Sequence, residues 1–172
     1  SIVSIIQQFN PQNPASSIPA LTRLYQAFQK LSPLENSDHH VQLLQDIILQ
    51  CAGFYGEFKA NKFAVNPGEA VPVSFSCINR SNQEIKLLST RAILPNSTLV
   101  ECNKVLTNNE VYTRNDTLKL PAQLAISNPY WLNSPHAEGL FTVNELGQIG
   151  KPESEAPIQL ETEWQIGNIH FL

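Results

Sequence analysis

The hydrophobic pattern of this 172-residue sequence changes its period near residue 61, and this change constrains the fold more than any other feature. Before it, in 21–31 and 41–58, apolar residues recur at intervals of three and four, as on one face of an α-helix. After it, in 71–77 and 158–166, apolar and polar residues alternate, as in half-buried β-strands. The sequence therefore predicts a helical region followed by a β region.

The helical region is predicted to be a hairpin of two antiparallel helices. The first helix follows two serines that can cap it and ends before the Ser-Pro pair at 32–33. The second is predicted from near residue 36 to 58 and contains Gly53 and Gly56, whose low helix propensity indicates a close approach of another backbone. Residues 1–15, which contain two Asn-Pro pairs, are predicted to be a linker or the end of a strand.

Residues 61–172 are predicted to fold as an antiparallel β-sandwich of the immunoglobulin or fibronectin kind. They contain several short strand patterns, separated by turn signals at intervals of roughly 8 to 15 residues. The stretch 111–120 is either one strand or a hairpin broken at 114–116. Alternation in the last long strand places Trp164 in the core. The predicted class is α+β, with a linker and helical hairpin in residues 1–60 and a β-sandwich domain after them.

The stretch 128–153 holds the candidate ligand-binding residues. It contains the aromatic pair Tyr130 and Trp131, followed by His136, and a short strand is predicted around 140–143. Aromatic rings on a sandwich can stack on sugars, so these three residues are candidates for carbohydrate binding. A sugar platform predicts exposed, coplanar rings. The competing interpretation, packing in the core or between domains, predicts that Tyr130 and Trp131 are mostly buried.

No complete catalytic or metal-binding constellation is present in the sequence. His39 and His40 are adjacent on a predicted helix and point about 100° apart, so they do not share one metal ion easily. His136 lies two residues before Glu138, but the cysteine half of a zinc-deaminase signature is missing. We therefore expect no catalytic residue and no metal ligand in this chain.

Composition restricts the partners. Fifteen acidic and 11 basic residues give a net charge of −4, and the absence of a basic run argues against nucleic acid. No apolar stretch approaches 18 residues, so membrane insertion is not expected.

Cys51, Cys77 and Cys102 are predicted to be small buried hydrophobic residues, with a Cys77–Cys102 bridge as the alternative. Because the sequence contains no methionine, we expect either a processed chain or a piece of a larger protein. The second is favoured because residues 1–15 look like the end of a preceding region.

Two blocks of sequence carry a family resemblance. One is S-N-P-Y-W-L, G-L-F-T-V and L-G-Q-I-G-K-P-E within 127–153. The other is A-G-F-Y-G-E, V-N-P-G-E-A-V-P-V and I-N-R-S within 52–81. Together they resemble the C-terminal part of large PIG-L/LmbE-type de-N-acetylases of Bacteroidetes. Members of that family carry an N-terminal zinc-dependent hydrolase domain and act on N-acetylated sugars.

The resemblance implies a non-catalytic accessory region. The family's A-H-P-D-D type motif is absent here, so no catalytic or zinc-binding residue is carried over. Zinc is expected only in the catalytic domain of the parent chain. That domain is then the expected partner, with glycan as a second one, and the location is expected to be periplasmic or extracytoplasmic. A carbohydrate-binding module is the alternative function.

Overall fold

The protein is α+β, with helices first and two antiparallel sheets after them. The structure is a computed structural model, and it describes residues 1–30, 37–94, 97–135, 137–154, 156–167 and 169–171. The three α-helices of the described part are α1 (Ile2–Gln7), α2 (Ile18–Gln29) and α3 (Ser37–Cys51), and a short 3₁₀ turn (Pro14–Ser17) precedes α2. The side chains of residues 37–39 are outside the description, as is the predicted Ser-Pro break at 32–33.

Helices α2 and α3 pack against each other, as the apolar spacing predicts. Helix α2 buries Leu21 and Tyr25, and α3 buries Leu44 and Ile48. The expectation for residues 1–15 is wrong, because residues 2–7 form α1. That helix is capped by the Ser1 side chain, which accepts a hydrogen bond from the backbone of the fourth residue.

The predicted second helix ends earlier than expected, and residues 54–60 form the first strand. Helix α3 stops at Cys51, and Gly53 adopts the left-handed conformation with φ +62°. A Cβ at Gly53 would lie 3.1 Å from the Cβ of Arg80. Gly53 therefore ends the helix and allows the chain to pass close to Arg80. Its predicted close approach to another backbone is confirmed, but within a turn and not within a helix.

Seven strands in the described residues form two antiparallel sheets. The first sheet has the order β1-β2-β5, and the second has the order β4-β3-β6-β7. The strands are β1 (Phe54–Ala60), β2 (Ala70–Asn79), β3 (Ile85–Ala92), β4 (Val100–Leu106), β5 (Val111–Lys119), β6 (Leu160–Ile166) and β7 (Ile169–Phe171). Antiparallel pairing is thereby confirmed, and residues 111–119 are one strand and not a broken hairpin.

A β-bulge in β3 sets which side chains enter the core. The pairing of β3 with both neighbours shifts between Leu87 and Ser89. Ile85 and Leu87 are buried before the bulge, and Thr90 and Ala92 are buried after it. The extra residue changes the phase of the strand, so that two successive polar side chains, Ser89 and Thr90, are both buried.

The helices and both sheets share one hydrophobic core. The Trp164 ring of the second sheet lies 4.4 Å from the Phe54 ring and 6.3 Å from the Phe75 ring, both on the first sheet. Tyr25 of α2 contacts Phe171 of β7, with ring centroids 5.2 Å apart. The predicted core position of Trp164 is confirmed, since it is 4% exposed.

Candidate functional site

The long connection between β5 and β6 contains the predicted ligand-binding residues and is closed on itself. The Tyr130 hydroxyl donates to the Lys151 carbonyl oxygen at 3.0 Å, and the Tyr130 amide donates to Ser154 Oγ at 2.9 Å. Ser154 Oγ in turn donates to the Asn128 carbonyl oxygen at 3.3 Å. These bonds join residues 21 to 26 positions apart in sequence, so they hold the two ends of the segment together.

The aromatic pair meets neither of the two geometries expected for it. Tyr130 and Trp131 touch edge to face, with ring centroids 4.9 Å apart and an interplanar angle of 85°. Both side chains are partly buried. Perpendicular rings offer no shared flat platform, and the Tyr130 hydroxyl is already used within the loop. His136 lies outside the described residues, so its predicted role stays a prediction, as does glycan binding.

The same loop exposes an unusual number of large apolar side chains. The strand predicted near 140–143 is absent: the described residues there form only an isolated bridge between Ala137 and Leu140. We call the exposed apolar residues of this loop the loop surface: Ile126, Leu132, Leu140, Phe141, Leu146 and Ile149, which are 47–82% exposed. Where exposed apolar side chains form one contiguous patch, they are typical of surfaces that contact another protein or domain.

A second candidate site is a cleft of about 280 Å³ between β5 of the first sheet and β3 and β4 of the second. Its polar end is built around Arg114, which is 23% exposed. The Arg114 Nη1 donates to Thr90 Oγ1 at 2.9 Å and lies 3.8 Å from Cys102 Sγ. Its Nη2 donates to Asp116 Oδ2 at 2.7 Å.

Arg114 lies where the interior divides into two apolar clusters. In the β2–β5 ladder it is opposite Phe75, which belongs to the main core. Asp116 is opposite Val73, which belongs to a smaller cluster with Val71 and Leu120. An ion pair therefore lies between two apolar regions. The sequence did not indicate this site, because Arg-Asn-Asp at 114–116 looks like a turn.

All three cysteines carry free thiols, so the alternative of a Cys77–Cys102 bridge is not found. Cys77 is buried, as predicted, whereas Cys51 and Cys102 are only partly buried. Burial raises the pKa of the Cys77 thiol to about 12, and the nearby Cys102 adds to this effect. Burial also raises the pKa of Cys51.

The buried Cys77 thiol is expected to make the protein less stable in alkali. Above pH 9.0, the ordinary value, the thiol ionises in the unfolded chain but keeps its proton in the folded one until about pH 12. The contribution is thus fully present below pH 9.0 and is lost as the pH rises, by up to about 1.4 kcal/mol per pH unit. Urea unfolding of the wild type and Cys77→Ala at about pH 8 and about pH 10 measures it. Equal pH slopes for both proteins would contradict the prediction.

The described residues contain no group of three or more His, Cys, Asp or Glu placed to hold a metal ion. The ring of His40 stacks on Phe28 at 5.9 Å, which joins α3 to α2. Glu161 pairs with Arg91 at 2.7 Å across the second sheet. Among the described helices, none combines the length and apolar character needed to cross a bilayer.

Comparison with known proteins identifies no family for this chain. No protein-family model matches it, and no match is found among curated proteins. Among solved structures, it is similar to the crystal structure of Spo0M, a sporulation control protein from Bacillus subtilis, with 14% sequence identity and a TM-score of 0.29. The match covers 68% of this chain and 45% of the Spo0M chain. A TM-score this low carries no conclusion about fold or function.

Proposed function

We propose that this chain is a non-catalytic accessory region of a larger zinc-dependent PIG-L-type sugar N-deacetylase. The observation that carries the proposal is the loop surface, whose apolar side chains are exposed although the loop itself is tied together by Tyr130. The same stretch holds the P-Y-W-L and G-L-F-T-V sequences of the family resemblance. Apolar side chains left exposed on a loop are candidates for burial against another domain.

The partner of the loop surface in this proposal is the catalytic domain of the same parent chain. Burial of exposed apolar side chains stabilises such a contact by about 25 cal/mol per Å² removed from water. The zinc ion and its ligands belong to that catalytic domain, and this chain contributes structure and positioning. The proposed location is periplasmic or extracytoplasmic, following the resemblance.

We further propose that the two sheets form a β-sandwich of the immunoglobulin or fibronectin kind. The strand order supports this, since three strands (β1-β2-β5) and four strands (β4-β3-β6-β7) make up the two sheets. Consecutive strands change sheet after β2, β4 and β5, as in the Greek-key connections of immunoglobulin-like folds. The ring contacts of Trp164 with Phe54 and Phe75 support face-to-face packing of the sheets.

Hydrogen exchange of the isolated chain and of the parent enzyme tests the proposed contact. We expect the amides of residues 126–149 to exchange fast in the isolated chain and to be protected in the parent. Leu146→Asp, at an 82% exposed position of the loop surface, should remove the protection. Phe63→Asp is the matched control, because Phe63 is fully exposed outside this loop.

Three results would refute the proposal. The first is a parent coding sequence without a zinc-hydrolase motif of the A-H-P-D-D type. The second is equal exchange of residues 126–149 in the isolated chain and in the parent. Hydrolysis of N-acetylated sugars by the isolated chain would also contradict a non-catalytic role, and we expect none.

A further inference from the structure

We propose that the cleft between β5 and the β3–β4 hairpin binds a small carboxylic acid with an apolar body, whose carboxylate pairs with Arg114. The site is separate from the loop surface, and the proposal does not depend on the proposed accessory function. It rests on the shape of the cleft, on the chemistry of its lining and on the position of one guanidinium.

The size and lining of the cleft suit a small amphiphilic ligand. Its volume of about 280 Å³ is close to the lower end of small-molecule sites, which begin near ~300 Å³. Its apolar lining comes from both sheets and includes Phe58, Val73, Leu118 and Leu160. The polar end is Arg114 with its hydrogen-bond partners. A ligand with an apolar body and one polar group at its end matches the apolar lining and the polar end of the cleft.

The position of Arg114 costs desolvation free energy. The guanidinium is on the inward side of β5, between the two apolar clusters, and is 23% exposed. Removing a charge from water is unfavourable, and an apolar side chain of similar volume usually serves a core at least as well. Its carboxylate partner, Asp116, is 48% exposed, so their pairing is screened by solvent and is weak.

Arg114 also has donor capacity left for a ligand. Its side-chain hydrogen bonds within the described part of the chain are with Thr90, Cys102 and Asp116. A guanidinium carries about five N–H donors in a planar fork that matches a carboxylate. A ligand carboxylate can therefore bind beside Asp116, or replace it while the Asp116 side chain turns towards solvent.

Charge selects an anion over a neutral ligand. The charged residues that line the cleft are two cations, Arg114 and Lys119, and one anion, Asp116. The net charge is therefore positive, and removal of the Asp116 charge increases it. If the cleft binds an acid, loss of the Asp116 carboxylate should strengthen that binding. A purely structural ion pair between Arg114 and Asp116 would not have this effect.

Titration of the full chain with hexanoate and with hexanamide, followed by amide NMR shifts, tests the proposal. We expect saturable shifts at Thr90, Arg114 and Asp116 with hexanoate, and at least about tenfold weaker binding of hexanamide. Arg114→Gln should abolish the preference for the acid. Arg114→Lys, which keeps the charge without the fork, should retain part of it.

Asp116→Asn provides the decisive variant, because this half-exposed side chain can be changed without opening the core. We expect it to bind hexanoate about three- to tenfold more tightly than the wild type. The proposal is wrong if hexanoate causes no saturable shift at the cleft up to about 20 mM. It is also wrong if acid and amide bind equally, or if Asp116→Asn weakens binding. If Arg114→Gln does not fold, the Asp116→Asn result still decides between these outcomes.

Discussion

Replacement of Trp164 by alanine is expected to lower the free energy of unfolding by about 3–5 kcal/mol. The indole is 4% exposed and contacts Phe54 and Phe75 of the other sheet. Its Nε1 donates to Thr162 Oγ1 at 2.7 Å, so the alanine variant loses both the packing and this hydrogen bond. Because a domain is stable by only about 5–15 kcal/mol, the loss is a large fraction of the total. Urea denaturation followed by circular dichroism measures it.

Trp131→Ala is the matched control, since the sequence contains two tryptophans. Trp131 is partly buried, lies in the β5–β6 loop and contacts Tyr130 edge to face. Its removal is expected to cost less than about 1 kcal/mol. A loss as large as that of Trp164→Ala would mean that the loop is part of the cooperative core, contrary to the packing described above.

The parts of the fold that the sequence predicts well depend on local signals. Strand β6 was visible because its residues alternate, and this alternation also placed Trp164 inside. In the turn before β2, Pro67 and Gly68 occupy the positions that a type II turn favours for proline and glycine, and Gly68 has φ +81°. Strand β2 then alternates as expected, with Val71, Val73 and further odd-numbered residues buried. In these cases a few neighbouring residues carry enough information.

Strand β1 shows where local pattern fails. Tyr55 and Phe58 continue the three- and four-residue spacing of α3, so the periodicity alone predicts more helix. Pairing with β2 along the whole of β1 decides otherwise, and that pairing joins residues distant in sequence. One signal was available: Gly53 follows the last helical turn, where a left-handed glycine often ends a helix.

The cleft could not be predicted from the sequence for a related reason. Arg114 and Thr90 belong to different sheets, and a bulge in β3 turns Thr90 inward. Neither the pairing partner nor the bulge is visible in a short window of sequence. The tie between Tyr130 and Lys151 is similar, because the two residues are 21 positions apart. The sequence located the aromatic pair but gave no indication of how its hydroxyl is used.

The second large effect is expected for Ile48→Ala, which should cost about 2–5 kcal/mol. Ile48 is 0% exposed and lies on α3, in the core that the helices share with both sheets. Leu43→Ala is the matched control on the same helix, because Leu43 is 48% exposed. It should change the free energy of unfolding by about 0.5 kcal/mol or less.

The Ile48 variant also tests whether helices and sheets unfold together. In a Trp131→Phe background, Trp164 is the sole tryptophan and its fluorescence reports on the sheets. Far-ultraviolet circular dichroism at about 222 nm reports mainly on the helices. Because Tyr25 and Ile48 share a core with Trp164, both signals should shift to the same lower midpoint. A helical transition that moves alone would contradict this. It would instead favour separate units on either side of residue 61, the division expected from the change of hydrophobic period.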